Sequence, residues 1–252
     1  MADLKQDAHA DQNPSHDEWL KQLADASRAK QKTFIDGISA KLRRPREQSA
    51  PAHPYRGAPD FWRTFEWDEQ ERIERFTGNF KAAGGHVVRL NDMGEVRSFI
   101  TDKANELSAR YIVRQRQPEL DALDLEGALP DARLSVWNSD PEEAWKARAA
   151  EADIGVVVAD YAAAYTGSIT VLSAKDKGRS VSLLPTALIA IIPLERLKTR
   201  LGETLIHFDR AGRENLPAGI HFISGPSRSA DIENDLTIGV HGPGVVYALI
   251  VG

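Results

Sequence analysis

The chain has 252 residues, 42% of them hydrophobic, with 37 acidic and 32 basic side chains and no cysteine. A chain of this length buries roughly 70–75% of the surface it exposes when unfolded, so one large α/β domain needs no disulfide or metal staple. Without cysteine there is no thiol nucleophile, cysteine-held zinc or iron–sulfur cluster, and a net charge of −5 with both signs mixed argues against a general phosphate-backbone binder.

Residues 1–16 are polar and acidic without apolar periodicity, which predicts disorder and holds no signal-type apolar core. Between Asp17 and Leu42 the apolar residues Trp19, Leu20, Leu23, Phe34, Ile35, Ile38 and Leu42 are spaced as one stripe of a helix, suited to docking on the main body or on a second subunit. Four prolines (Pro45, Pro51, Pro54, Pro59) make 43–59 an extended linker, which leaves 60–252 as the main domain. All five tryptophans precede residue 150 and most of the 18 glycines follow it, so packing scaffold comes first and tight turns later. The longest apolar run, 183–194, is broken by Pro185 and Pro193 and is shorter than the about 20 residues a membrane helix needs, which predicts a cytoplasmic protein.

Asp68 can cap a helix carrying Ile73, Phe76 and Phe80 and ended by Gly84 and Gly85. A strand at 86–90, a helix through Val96, Phe99, Ile100, Ala104 and Leu107, and a strand at 111–113 follow. Further strands are predicted at 133–137, 154–159, 168–172, 180–183 and 188–192, a helix at 196–201, and closing strands at 221–224, 236–240 and 245–250. Early alternation followed by a run of strands predicts an α/β layered domain with a mostly parallel sheet, an antiparallel extension and an N-terminal helical extension.

Three segments can carry chemistry. In the first, an apolar strand ends at Ser224, Gly225 and Pro226 turn the chain, and Ser227, Arg228 and Ser229 stand at the predicted start of a short helix. Such a turn aims backbone N–H groups and the positive helix end outward. Arg228 offers a planar fork for a carboxylate or phosphate, and Asp231, three residues on, can orient it. Two readings stay open: an anion-binding loop at the carboxyl end of a sheet strand, where open α/β sheets place ligands, or a capped helix whose Arg228 makes a surface ion pair. In the second segment, Thr166 and Ser168 flank Gly167, either letting a ligand approach the backbone or forming an ordinary turn. In the third, a strand delivers His241 to the Gly242-Pro243 turn, as a candidate catalytic acid or base or as a histidine bonded to backbone. Arg179, after the Asp176-Lys177-Gly178 turn, is a further cation, for a ligand or for solvent. The seven histidines form no HxH or HxxxH pair and the carboxylates no metal-ligand cluster, so no metal site is expected. Nucleophile-elbow, Walker and GxGxxG patterns are missing as well.

The same segments carry a resemblance. The run ISGPSRSADIENDLTIGVHGP at 223–243 resembles the signature of the lactate utilization protein C family, whose members contain the LUD domain. Residues 153–192 are similar to the family's middle block, and PYRGAPD at 54–60 and AAGGHVVRL at 82–90 fit its earlier part. The resemblance implies a fold similar to the NagB/RpiA/CoA-transferase-like α/β proteins and a role in oxidising L-lactate to pyruvate with two iron–sulfur partner proteins. Carried over position by position, the family's motif falls on Thr166, Gly167, Ser168, Arg179, Pro185, residues 224–233 and residues 239–243. Two positions depart from it. Tyr165 stands where an acidic residue is common, and Leu188 where a histidine is common. If the family's side chains there form a polar site, this chain lacks two parts of it.

In that setting the cysteine-free chain is expected to be the non-redox component. It would bind a small carboxylate or phosphate, or a partner, at the Ser-Gly-Pro-Ser-Arg loop, with no cofactor of its own and the iron–sulfur clusters on its partners. Neither nucleic acid nor membrane is an expected partner, and homo-oligomerisation stays open, as does whether the chain is itself an enzyme. The alternative is an independent enzyme or sensor for a phosphorylated sugar or an acyl-CoA-type ligand.

Overall fold

The computed structural model describes residues 15–46, 49, 65–230 and 236–252. These fall into two compact units divided between Arg63 and Thr64. The tail ahead of Ser15 and most of the predicted linker lie outside the described residues. The first unit contributes one helix, α1 (His16–Leu42), opened by a reciprocal cap. Ser15 Oγ accepts from the Glu18 N–H at 3.3 Å, and the Glu18 carboxylate accepts from the Ser15 N–H at 2.9 Å. Arg43 closes the helix in the left-handed region at φ 51°. Among the described residues, no helix is long and apolar enough to cross a membrane.

The second unit is built on a six-stranded parallel sheet. Its strands are β1 (His86–Leu90), β2 (Tyr111–Arg114), β3 (Arg133–Val136), β4 (Ile154–Val158), β7 (Ala187–Pro193) and β12 (Val245–Val251), in the order β1-β12-β7-β4-β2-β3. A mixed sheet of β5 (Tyr161–Ala163), β6 (Ser168–Ser173), β8 (Leu197–Lys198) and β9 (Gly219–Ile223) runs in the order β8-β5-β6-β9, and β10 (Arg228–Ala230) pairs antiparallel with β11 (Leu236–Ile238). The helices are α2 (Glu69–Ala82), α3 (Met93–Glu106), α4 (Pro118–Asp121), α5 (Leu125–Ala128), α6 (Trp145–Glu151), α7 (Ser180–Leu183) and α8 (Leu201–Ala211).

The central strands read as unbroken apolar runs, IGVVV in β4 and ALIAII in β7, because both faces of the parallel sheet are covered. On one face, Ile154, Val156, Ile189, Ile191 and Leu249 pack with Val96 and Ile100 of α3 and with Leu120 and Leu125 of α4 and α5. On the other, Val157, Leu188, Ala190, Ala248 and Ile250 pack with Phe76 and Phe80 of α2, Ala149 of α6, and Ile169 and Val171 of the mixed sheet. Each large side chain buried this way contributes about 1.5–3 kcal/mol. Strand alternation divides one continuous run between two cores, and the mixed sheet serves as part of a covering layer.

The α/β class and the N-terminal helix are as expected, and α2 and α3 take their predicted places. Asp68 caps α2 through the Glu71 N–H at 2.8 Å, and Asp92 caps α3 through Gly94 and Glu95. Four expectations are corrected. The antiparallel part is a separate sheet, not an extension of the parallel one. Residues 180–183 form the helix α7, whose Val181 and Ser182 are buried; so short an apolar run fits a helical turn as well as a strand, and packing decides. The helix predicted at 196–201 gives way to a 3-10 turn (Leu194–Arg196) and β8, with α8 starting at Leu201 where Glu203 accepts from the Arg200 N–H at 2.7 Å. The helix predicted to start at Ser227 is β10, because Arg228, Ser229 and Ala230 pair with Ile238, Thr237 and Leu236.

Candidate functional site

The three singled-out segments meet along the amino ends of the parallel strands, around the C-terminus of α2. The Thr166-Gly167-Ser168 turn joins β5 to β6 and rests on α2. Gly167 has φ +57°, and a Cβ there would lie 2.8 Å from Asn79 Cβ and 2.9 Å from the Phe80 backbone nitrogen. Asn79 Nδ2 donates to the carbonyls of Ala164 (2.9 Å) and Tyr165 (3.0 Å), tying the turn to the helix. The glycine is therefore needed for the approach of a helix, and no ligand has to be invoked for it. Gly225 repeats this, at φ +118° and with a would-be Cβ 2.9 Å from the Ala83 carbonyl oxygen. Ser168 and Ser224 join the two segments through a hydroxyl–hydroxyl bond of 2.7 Å.

Beyond Gly225 the chain crosses toward β12. The Ser227 N–H donates to the Pro243 carbonyl at 2.9 Å, the Gly239 N–H to the Ser227 carbonyl at 3.0 Å, and the Gly244 N–H to the Thr186 carbonyl at 2.9 Å. A cleft of about 550 Å³ opens here between residues 183–186 and the 238–244 turn, with His241 on its wall. The Arg228 guanidinium lies over Gly84, just ahead of β1. Arg228 and His241 are both exposed, and neither has a hydrogen-bonding or ion-pair partner among the described residues. Asp231, expected to orient Arg228, lies outside the described residues.

This placement corrects the expected end of the sheet. The 224–228 loop does follow a strand, but β9 belongs to the mixed sheet, and the loop runs past the amino ends of β1 and β12. The carboxyl end of the parallel sheet is spanned by protein groups instead. Gln117 brackets Val158, accepting from its N–H at 3.0 Å and donating to its carbonyl at 3.2 Å. Arg196 donates to the Ala159 carbonyl at 2.8 Å and pairs with Glu119 at 2.9 Å. Asp160 takes the Leu172 N–H at 2.8 Å and pairs with Lys177.

The two departures from the family pattern have different surroundings. Leu188 is fully buried against the apolar core, so its position here serves packing. Tyr165 is exposed and lies tilted against the rings of Phe65 and Trp67, with centroids 5.3 and 6.1 Å away.

A pair that sequence reading passed over lies on the mixed sheet. Ser173 Oγ and His221 Nε2 are 2.9 Å apart, although 48 residues separate them in the chain. Burial first, and the Arg179 charge second, push the imidazole below its ordinary pKa. Arg179 has no hydrogen-bonding or ion-pair partner among the described residues for its own side chain. Only the antiparallel register of β6 and β9 brings Ser173 and His221 together. The available signal was a histidine on a strand two residues after a glycine. No group of three or more His, Asp or Glu able to hold a metal occurs among the described residues.

The LUD domain family matches residues 73–251, which contain every segment of this site. Lactate utilization protein C of Halalkalibacterium halodurans is 35% identical over 218 residues, covering 85% of this chain and 94% of that protein. Its namesake from Shouchella clausii is 31% identical, covering 84% and 93%. Among solved structures, a DUF162 family protein from Deinococcus radiodurans has a TM-score of 0.55 at 20% identity, over 74% of this chain and 99% of that one, a likeness of fold alone. The chain belongs to the LUD domain family.

Proposed function

We propose that this protein serves in lactate utilization as a component without a redox centre of its own. It presents the 224–228 loop and the His241 turn to a small carboxylate or phosphate, while iron–sulfur partner proteins take the electrons of L-lactate oxidation. One observation carries this reading. Parts of the two segments by which the chain resembles lactate utilization protein C, the 166–168 turn and residues 183–186 of the first and residues 224–228 and 238–244 of the second, lie together around the amino ends of β7, β12 and β1. There Arg228 is a planar cationic fork suited to an oxyanion, and the His241 imidazole offers ring nitrogens that can hydrogen-bond one.

The test is genetic and biochemical. Deleting the gene is expected to abolish growth on L-lactate, and affinity purification from lactate-grown cells to recover cysteine-rich iron–sulfur proteins in stoichiometric amount. Unchanged growth, with no second copy of the gene present, would sink the reading. Arg228→Ala is expected to leave the thermal midpoint unchanged, because the guanidinium bonds no described residue, while impairing growth on lactate. A normal growth rate would remove the loop from the mechanism.

A further inference from the structure

The helix α1 buries none of its residues. Its large apolar side chains Trp19, Leu20, Leu23, Phe34, Ile38 and Leu42 are all exposed, from 39% at Ile38 to 67% at Phe34. At about 3.6 residues per turn, all six fall within one half of the helix circumference. The opposite half is charged and satisfies itself. Arg28 pairs with Asp25 at 3.3 Å and Lys32 with Asp36 at 3.5 Å, each one turn apart. Every exposed side chain of the apolar half forgoes much of the about 1.5–3 kcal/mol that burial yields. A contiguous bare stripe on a helix of 27 residues is therefore one side of an interface.

The order of residues along α1 indicates what covers it. Trp19, Leu20 and Leu23 stand near one end and Phe34, Ile38 and Leu42 near the other, with the small Ala24, Ala26, Ser27 and Ala29 between them. Read from both ends, the stripe matches itself: Trp19 answers to Leu42, Leu23 to Ile38 and Ser27 to Phe34. The charges divide the same way. Asp17, Glu18 and Asp25 precede residue 26, beside Lys21, whereas Arg28, Lys30, Lys32, Lys41, Arg43 and Arg44 follow it, beside Asp36. Asp25 and the bases at 28–32 lie outside the terminal turns, where the helix's own dipole no longer explains their sign. A partner met once has no need of ends of opposite charge. A two-fold mate does, because each end then faces the other.

We propose that α1 pairs antiparallel with α1 of a second copy of this chain, about a two-fold axis passing between Lys30 and Gln31. Leu23 then packs on Ile38 of the other copy, Ser27 lies against Phe34, and Trp19 points toward Leu42. The acidic end of each helix lies along the basic end of its mate, while a parallel pair would set like charges together. Lys30 and Gln31 flank the axis, with apolar stems over the interface and polar heads in water. The interface is independent of the lactate-utilization reading.

The test is light scattering of the full chain, followed by cross-linking. The parent is expected to have the mass of two chains at micromolar concentration. Leu23→Glu combined with Ile38→Glu removes four apolar contacts per pair and opposes like charges, so the dimer dissociation constant should rise about 100-fold or more. The chain has no cysteine, so an introduced thiol has no other thiol in its own chain. A disulfide needs Cα atoms within about 7 Å. Ser27→Cys chains mixed with Phe34→Cys chains are expected to link on mild oxidation. Either variant alone should link several-fold less, because its own mate position lies about 10 Å further along the axis. Both positions are exposed, so the cross-linking holds as a test even if the glutamates unwind α1. A monomeric parent at about 100-fold the expected micromolar range overturns the pairing. So does a dimer that the two glutamates leave intact, or a Ser27→Cys chain that links to itself as readily as the mixture does.

Discussion

Gly167→Ala separates a ligand-approach glycine from a packing glycine. Gly167 has φ +57°, where an alanine costs about 1–2 kcal/mol in backbone conformation alone. The added Cβ would lie 2.8 Å from Asn79 Cβ, 2.9 Å from Phe80 N and 3.0 Å from the Asn79 carbonyl carbon, so helix and turn must part. Such overpacking costs about 1–3 kcal/mol. The two Asn79 bonds to the Ala164 and Tyr165 carbonyls stretch with it. The sum is about 2–5 kcal/mol, against a total stability of about 5–15 kcal/mol for a domain. At about 2–4 °C per kcal/mol for a protein of this size, the thermal midpoint falls by about 10 °C. Urea unfolding followed by tryptophan fluorescence should show a lower midpoint at unchanged slope. Gly202→Ala is the internal control: it lies in α8 with nothing within 4 Å of its would-be Cβ, so stability rises by about 0.5–1 kcal/mol. A Gly167→Ala variant within about 1 kcal/mol of the parent would refute the packing argument. If that variant also lost anion binding, the ligand-approach reading would return.

Asp160→Ala leaves the mostly buried Lys177 ammonium and the Leu172 N–H without their acceptor, and is expected to cost about 2–4 kcal/mol. Adding Lys177→Met should recover part of that loss in a double-mutant cycle, and simple additivity would show the pair to be uncoupled. The folded-state pKa of His221 is pushed below 6.5, chiefly by burial and then by Arg179. Between that lowered value and 6.5 the unfolded chain binds a proton the folded chain does not. Stability from this group is thus intact above 6.5, falls as pH drops through it, and levels off below the folded pKa. His221→Asn should flatten this part of a urea-midpoint profile against pH; an unaltered slope would mean that another group sets it.

Much of this architecture is legible from local pattern. The continuous apolar runs at 154–158, 187–192 and 245–251 announce strands covered on both faces, and Asp68 ahead of Ile73, Phe76 and Phe80 announces a capped, one-sided helix. The candidate site was legible only as three separate segments. Its glycines looked the same on paper whether a ligand or a helix comes close, and at Gly167 and Gly225 the neighbour is α2. The Ser227–Ala230 stretch reads as a helix start by residue type, yet hairpin pairing with 236–238 outweighs that weak local preference.

The sequence by itself determined the α/β class, the absence of cysteine chemistry and the segments shared with the lactate utilization proteins. The first two follow from composition and from periodicities of 2 and 3.6, which are properties of neighbours along the chain, and the third from the resemblance of those segments to the family. Tertiary structure alone decided the strand order, the amino-end position of the 224–228 loop and the meeting of Ser173 with His221. Each of these depends on pairing between residues far apart in the chain. Such pairing is selected by the burial of whole faces at once, and no local window of the sequence records it.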